Sequence, residues 1–166
     1  MEDGQKVLLV TGGSRGIGAA TSRLAAAKGY RVAVNFRADA AAAQTVVADI
    51  QAAGGKAQAF QGDVAREEDV VRLFNDVVDA FGSISGLVNN AGIHGGTMRV
   101  DEFDASALTE LLAVNVVGTM ICCREAVRRM STLHGGSGGS IVNVSSMAST
   151  IGGRPNRSNY AASKGQ

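Results

Sequence analysis

The sequence is poor in residues that stiffen or staple a chain. It has one proline, two cysteines and no tryptophan in 166 residues, and aromatic side chains make up 4% of it. The two cysteines, Cys122 and Cys123, are adjacent, too few and too close for a disulfide framework or a metal cluster. They read as two buried thiols in a reducing, cytoplasmic setting, and no metal is implied. Neither sign of charge dominates: 16 Lys and Arg against 15 Asp and Glu leave a net charge of +1. That balance removes the general electrostatic case for nucleic acid or an anionic membrane as partner. No apolar run approaches the roughly 20 residues of a membrane span. The polar, acidic start Met-Glu-Asp-Gly-Gln-Lys is not a secretory signal.

What is present is glycine, 22 residues of it, in a chain that is 45% hydrophobic and 19% charged. Such a composition belongs to a folded globular chain. The length suits one domain, residues 1–166, that buries roughly two-thirds of its unfolded surface.

Short apolar runs alternate with longer amphipathic ones. Residues 6–11 (KVLLVT) stop at Gly12 and read as a buried parallel strand. Residues 17–28 read as an alanine-rich helix closed by Gly29. Strands are expected at 31–36, 56–61, 85–89 and 140–144, and helices at 39–53 and 66–81. The helix at 66–81 has acidic residues in its first turn and an apolar stripe of Val70, Leu73, Phe74, Val77 and Phe81. A long helix is expected over 104–130, with Leu108, Leu111, Leu112, Val116, Met120, Cys123 and Val127 as its buried face. A last helix begins near Ser158 or Asn159. Strand–helix alternation predicts an α/β fold of Rossmann type: a doubly wound parallel sheet of five strands with helices on both faces. Such sheets bind ligands beyond the carboxyl ends of their strands. The stretch 135–139 (GGSGG) precedes a strand, so it belongs to the opposite end and reads as a flexible connection.

After the first strand, Thr11-Gly12-Gly13-Ser14-Arg15-Gly16-Ile17-Gly18 runs directly into a helix. Glycines there permit a tight turn and close approach of backbone, and a helix N-terminus offers N–H groups to a pyrophosphate. No Gly-Lys-Ser/Thr follows, so the turn is not a Walker loop. The end of the second strand, about 20 residues on, selects between dinucleotides. It reads Asn35-Phe36-Arg37, without a carboxylate. Arg15 and Arg37 together would suit a 2′-phosphate, so NADP(H) is preferred over NAD(H); the alternative is that both are surface charges.

Five motifs together resemble the classical short-chain dehydrogenase/reductase family: Thr11–Gly18, Asn89-Asn90-Ala91-Gly92, Asn115 within Val-Asn-Val-Val-Gly, Ser145-Ser146, and Tyr160-Ala161-Ala162-Ser163-Lys164. The resemblance spans essentially the whole chain. It implies that Gly12, Ser14, Arg15, Gly16, Ile17, Gly18, Asn90, Ala91 and Gly92 line the cofactor. Asp63 and Val64 resemble the pair that contacts adenine, with a turn or cap role for Asp63 as the alternative. It implies Asn115, Ser146, Tyr160 and Lys164 as catalytic residues, with Ser145 not excluded. Tyr160 and Lys164 are four apart, hence on one helix face, and an ammonium beside a phenol lowers its pKa from near 10 toward the working range. Tyr160 would protonate a carbonyl oxygen in reduction and act as base in oxidation. His94 edges the substrate mouth as a loop histidine. The family implies a small carbonyl or alcohol substrate and a homo-dimer or homo-tetramer.

Family members are longer. The last strands and most of the substrate pocket normally follow the lysine, so the chain is expected to be the cofactor-binding part of a larger fold. Two functions compete: an NADP(H)-dependent carbonyl reductase or alcohol dehydrogenase, and a truncated dinucleotide-binding form without catalysis.

Overall fold

The computed structural model describes residues 6–165; the acidic start, residues 1–5, and residue 166 lie outside them. Five strands form one sheet: β1 Val7–Val10, β2 Arg31–Phe36, β3 Lys56–Gln61, β4 Ile84–Asn89 and β5 Ser140–Asn143. Their order is β3-β2-β1-β4-β5, and every pairing is parallel. The helices between them are α1 Gly16–Ala27, α2 Ala40–Ala52 and α3 Glu67–Phe81. The expected doubly wound α/β fold is therefore present. Strand order reverses between β1 and β4, which opens a crevice at their carboxyl ends.

Alternation along β1 explains the two faces. Val7 and Leu9 join a core with Leu73, Phe74, Val77 and Leu87, against α3. Val10 faces the other way, into a core with Val32, Val34, Val46 and Ile50, against α2. Each fully buried side chain of this size contributes about 1.5–3 kcal/mol relative to exposure. The α3 stripe is as expected at Val70, Leu73, Phe74 and Val77, while Phe81 is only half-buried.

The long helix over 104–130 is not one regular helix. It divides into α4 Ala105–Leu112 and α5 Thr119–Met130, joined by a π turn over Ala113–Gly118. The wider turn changes the phase of the helix. The buried stripe is Leu111, Val114, Asn115, Gly118, Cys122, Ala126 and Met130. Leu112, Met120 and Val127, expected inside, are exposed at 43%, 64% and 46%. Periodicity offered two apolar stripes, and packing against α3 and β4 selects the other one. Residues 105–130 are long and apolar enough to cross a membrane by length and composition. The same helix buries Glu125 and packs on the sheet.

The thiols also differ from expectation. Cys122 is buried, and burial pushes it up to about 12. Cys123 is half-buried on the flank of α5, where its sulfur meets the Asn89 and Asn143 side chains. The glycine stretch 135–139 lies at the far end of the sheet, as expected, but is hydrogen-bonded rather than loose. Gly136 and Gly138 N–H donate to the Ser131 and Met130 carbonyls and close the end of α5. Two short helices complete the described chain: α6 Ala148–Ile151, unexpected from sequence, and α7 Ser158–Lys164.

Candidate cofactor cleft and active site

β1 ends in a turn whose geometry is fixed by its own Thr11 and by side chains from two other segments. The Thr11 hydroxyl accepts from the Asn90 and Ala91 N–H groups at 3.0 and 3.1 Å. The Asn90 amide returns two bonds, to the Thr11 and Gly12 carbonyls at 3.0 and 2.9 Å. Asn35 Oδ1 accepts from Gly12 N–H at 3.2 Å, and its Nδ2 donates to the Gly62 carbonyl at 3.0 Å. Gly12 has φ +60°, and a Cβ on Gly18 would stand 2.3 Å from the Gly12 carbonyl oxygen. Only glycines close this turn. Among the described residues no side chain caps the N-terminus of α1 behind it, so the helix end is open to an anion.

The turn forms one wall of a cleft of about 890 Å³ at the switch point. Of the residues expected at the cofactor, Gly12, Ser14, Arg15, Gly16, Ile17, Arg37, Asp63, Val64, Asn90, Ala91 and Gly92 line it. Gly18 stands behind the turn. Asp63 also holds its own loop, accepting from Ala65 N–H at 3.0 Å, and Asp69 accepts from Asp63 N–H.

Ser145, Ser146, Tyr160 and Lys164 line the same cleft. Lys164 is buried, its ammonium donates to the Val144 carbonyl at 2.9 Å, and burial holds its pKa below the ordinary lysine value. The Tyr160 ring lies against His94, with centroids 4.8 Å apart. Asn115 does not reach the cleft wall. Within the π turn, its Oδ1 accepts from Ile93 N–H at 2.8 Å, and its Nδ2 donates to the Ile93 carbonyl and Ser163 Oγ at 2.9 Å each. A completely buried asparagine thus ties the loop after β4 to α7. Asn159 adds a second tie, donating to the Gly95 carbonyl at 3.1 Å.

The two serines differ in where their protons go. Ser145 Oγ donates to the Lys164 carbonyl at 3.0 Å, whereas Ser146 Oγ accepts from Ala148 N–H at 3.2 Å.

Sequence reasoning missed Thr11, Asn35, Ser163 and Asn159 as the residues that hold this geometry. The signal was available for Asn35, a polar residue near the end of an otherwise apolar strand. Val114 and Ile93, which also line the cleft, look like ordinary core residues in sequence.

The model of the short chain dehydrogenase family matches residues 6–166. The chain belongs to the short-chain dehydrogenase family. Among its relatives is the uncharacterized oxidoreductase YgfF of Escherichia coli, 48% identical over 96% of this chain and 64% of the relative. A 3-oxoacyl-acyl-carrier-protein reductase of Synechocystis is 38% identical over 96% of this chain and 62% of the relative. A solved short chain dehydrogenase from Burkholderia cenocepacia, in complex with NADP, is 40% identical with a TM-score of 0.89. It covers 97% of this chain and 63% of the solved one. This short-chain dehydrogenase sequence therefore spans less than two-thirds of the length of the relatives it matches.

Proposed function

We propose that the chain carries the cofactor-binding and acid–base parts of an NADP(H)-dependent oxidoreductase that interconverts a carbonyl and a secondary alcohol. The observation that carries the reading is convergence: the glycine turn and the Tyr160–Lys164 helix face line one cleft. The residues fit a dinucleotide, since an uncapped helix end and a turn with no room for a side chain face that cleft. When bound, the nicotinamide gives or takes a hydride at the substrate carbon.

The chain's own residues manage the proton and the charge. Tyr160 Oη gives its proton to the substrate oxygen in reduction and recovers one in oxidation. Lys164, a buried cation four residues on, favours the phenolate that results. Ser146 has its oxygen on a backbone N–H and its own proton available for the substrate oxygen, while the Ser145 proton is engaged by the Lys164 carbonyl. Asn115 acts behind them, holding Ile93 and Ser163. Arg15 and Arg37 favour a 2′-phosphate, in keeping with the NADP of the Burkholderia relative. The same reading gives a cytoplasmic enzyme. It is a homo-dimer or homo-tetramer that pairs through the exposed apolar face of Leu112, Met120 and Val127.

The test measures binding and turnover separately. In a full-length form that carries these residues, Tyr160→Phe is expected to lower reduction of a ketone panel by about 10²–10⁴-fold while NADPH affinity stays within about twofold. Retained turnover would remove Tyr160 as the acid. Wild-type chain that binds NADPH without turnover would favour the non-catalytic dinucleotide-binding form. Arg37→Asp is expected to weaken NADPH more than NADH, and equal losses would remove the phosphate argument.

A further inference from the structure

Three carboxylates stand near the Arg37 end of the cleft, and they are employed differently. Asp39 and Asp63 line it, yet each holds local backbone. Asp39 accepts from Ala42 N–H at 2.9 Å at the head of α2, and Asp63 accepts from Ala65 N–H at 3.0 Å. Among the described residues Glu110 holds no such backbone group. It stands on α4 one turn before Val114, which lines the cleft. Its Oε1 lies 4.0 Å from Arg37 Nη1, and the two side chains are 63% and 56% exposed. The Arg37 backbone is fixed separately, its carbonyl accepting from Gln61 Nε2 at 3.1 Å. The guanidinium itself has the Glu110 carboxylate beside it.

We propose that Glu110 is a specificity-determining residue of the cofactor cleft, its carboxylate competing with a 2′-phosphate for the Arg37 guanidinium. The inference rests on the NADP(H) reading of Arg37 above. A phosphate dianion docking on Arg37 meets a second anion already within 4.0 Å of that cation, so part of the attraction is cancelled. A dinucleotide with a free ribose hydroxyl brings no charge to this point and meets no such repulsion from Glu110. The carboxylate therefore narrows the discrimination between the two cofactors. Because the pair is exposed, its influence is modest and falls with added salt.

Calorimetric titration of the chain with NADPH and with NADH tests this, at low and at high salt. The variants are Glu110→Gln, Arg37→Leu and the double variant. Glu110→Gln is expected to tighten NADPH about three- to fivefold at low salt and less at high salt, with NADH unchanged. On the Arg37→Leu background the same substitution is expected to change nothing. The proposal is overturned by unchanged or weakened NADPH binding in Glu110→Gln, by equal tightening of both cofactors, or by equal tightening when Arg37 is already gone. Failure of the underlying reading looks different. There, Arg37→Leu leaves the NADPH-to-NADH ratio unaltered, or the wild-type chain binds neither cofactor, and the proposal falls with it.

Discussion

β2 and β5 are both parallel strands with branched apolar residues at their centres, yet they lie in different surroundings. In β2, Val32 and Val34 are completely buried, and only Arg31 is partly open. In β5, Val142 is 54% exposed and most of its neighbours with it. β2 pairs on both edges and carries helices over it. Among the described residues β5 pairs only with β4 and has α5 against it. An apolar strand is stabilised by what lies over it, and composition alone does not report that. Among the described residues, the Arg37 side of the cleft thus rests on strands paired on both edges, and the side that carries Ser145, Ser146 and Tyr160 rests on a strand paired on one.

Paired substitutions measure the difference most strongly. Val32→Ala is expected to cost about 2–3 kcal/mol, and Val142→Ala less than about 0.5 kcal/mol, both by urea unfolding. Equal costs would erase the contrast.

A charge cluster fastens the margin side, and it gives the next largest effect. Glu125 on α5 is buried and accepts from Arg124, Arg128 and Arg129, and Arg129 also reaches Asn75 on α3. Burial pushes its carboxyl up, but Arg129 and Arg124 outweigh this and hold it below the ordinary range. Such a group stabilises the fold above the ordinary carboxylate pKa, and that stability is lost as pH falls through the lowered value. Glu125→Gln is expected to cost about 1–3 kcal/mol at neutral pH and to flatten the acid limb of stability. A steep acid limb in the variant would assign it to other carboxylates.

The smallest effect is a slope. Burial holds Lys164 below its ordinary pKa, so between the two values the unfolded chain binds more protons than the folded one. Stability therefore rises with pH across that alkaline window. Lys164→Met is expected to remove the rise, as seen in thermal midpoints between pH 8 and 11 (about the range in which lysines titrate). An unchanged slope would mean that the Lys164 ammonium is solvated like any surface lysine.

Much of the fold was legible because its signals are local. An apolar run ended by Gly12 marked β1, glycines closing helices marked where β2, β3 and β4 begin, and Asp104 caps α4 as an N-terminal aspartate should, accepting from Ala107 N–H at 2.8 Å. Three of the site motifs follow strand ends, where the fold gathers them, while Asn115 and the Tyr160–Lys164 pair lie on helices. What escaped were facts that depend on partners distant in sequence. The phase of the long helix turns on the π insertion around Asn115, and that turn is stabilised by Ile93 and Ser163, neither of which marks itself in sequence. Asn115 was expected at the catalytic site, and what the structure adds is what its side chain holds. It binds two protein segments, a contact readable only once both are seen. The split of the two cysteines is local in origin, since adjacent residues on a helix point in different directions.

The cross-bracing of the turn after β1 has a consequence for how fast and how firmly a ligand is taken. Thr11, Asn35 and Asn90 hold Gly12 through hydrogen bonds made entirely within the protein. The conformational entropy of ordering that loop is therefore surrendered during folding and is not charged to association. Docking at this end is an encounter between preformed surfaces, limited by orientation rather than by rearrangement. By mass action, any ligand that uses the preformed shape raises the free energy needed to unfold it.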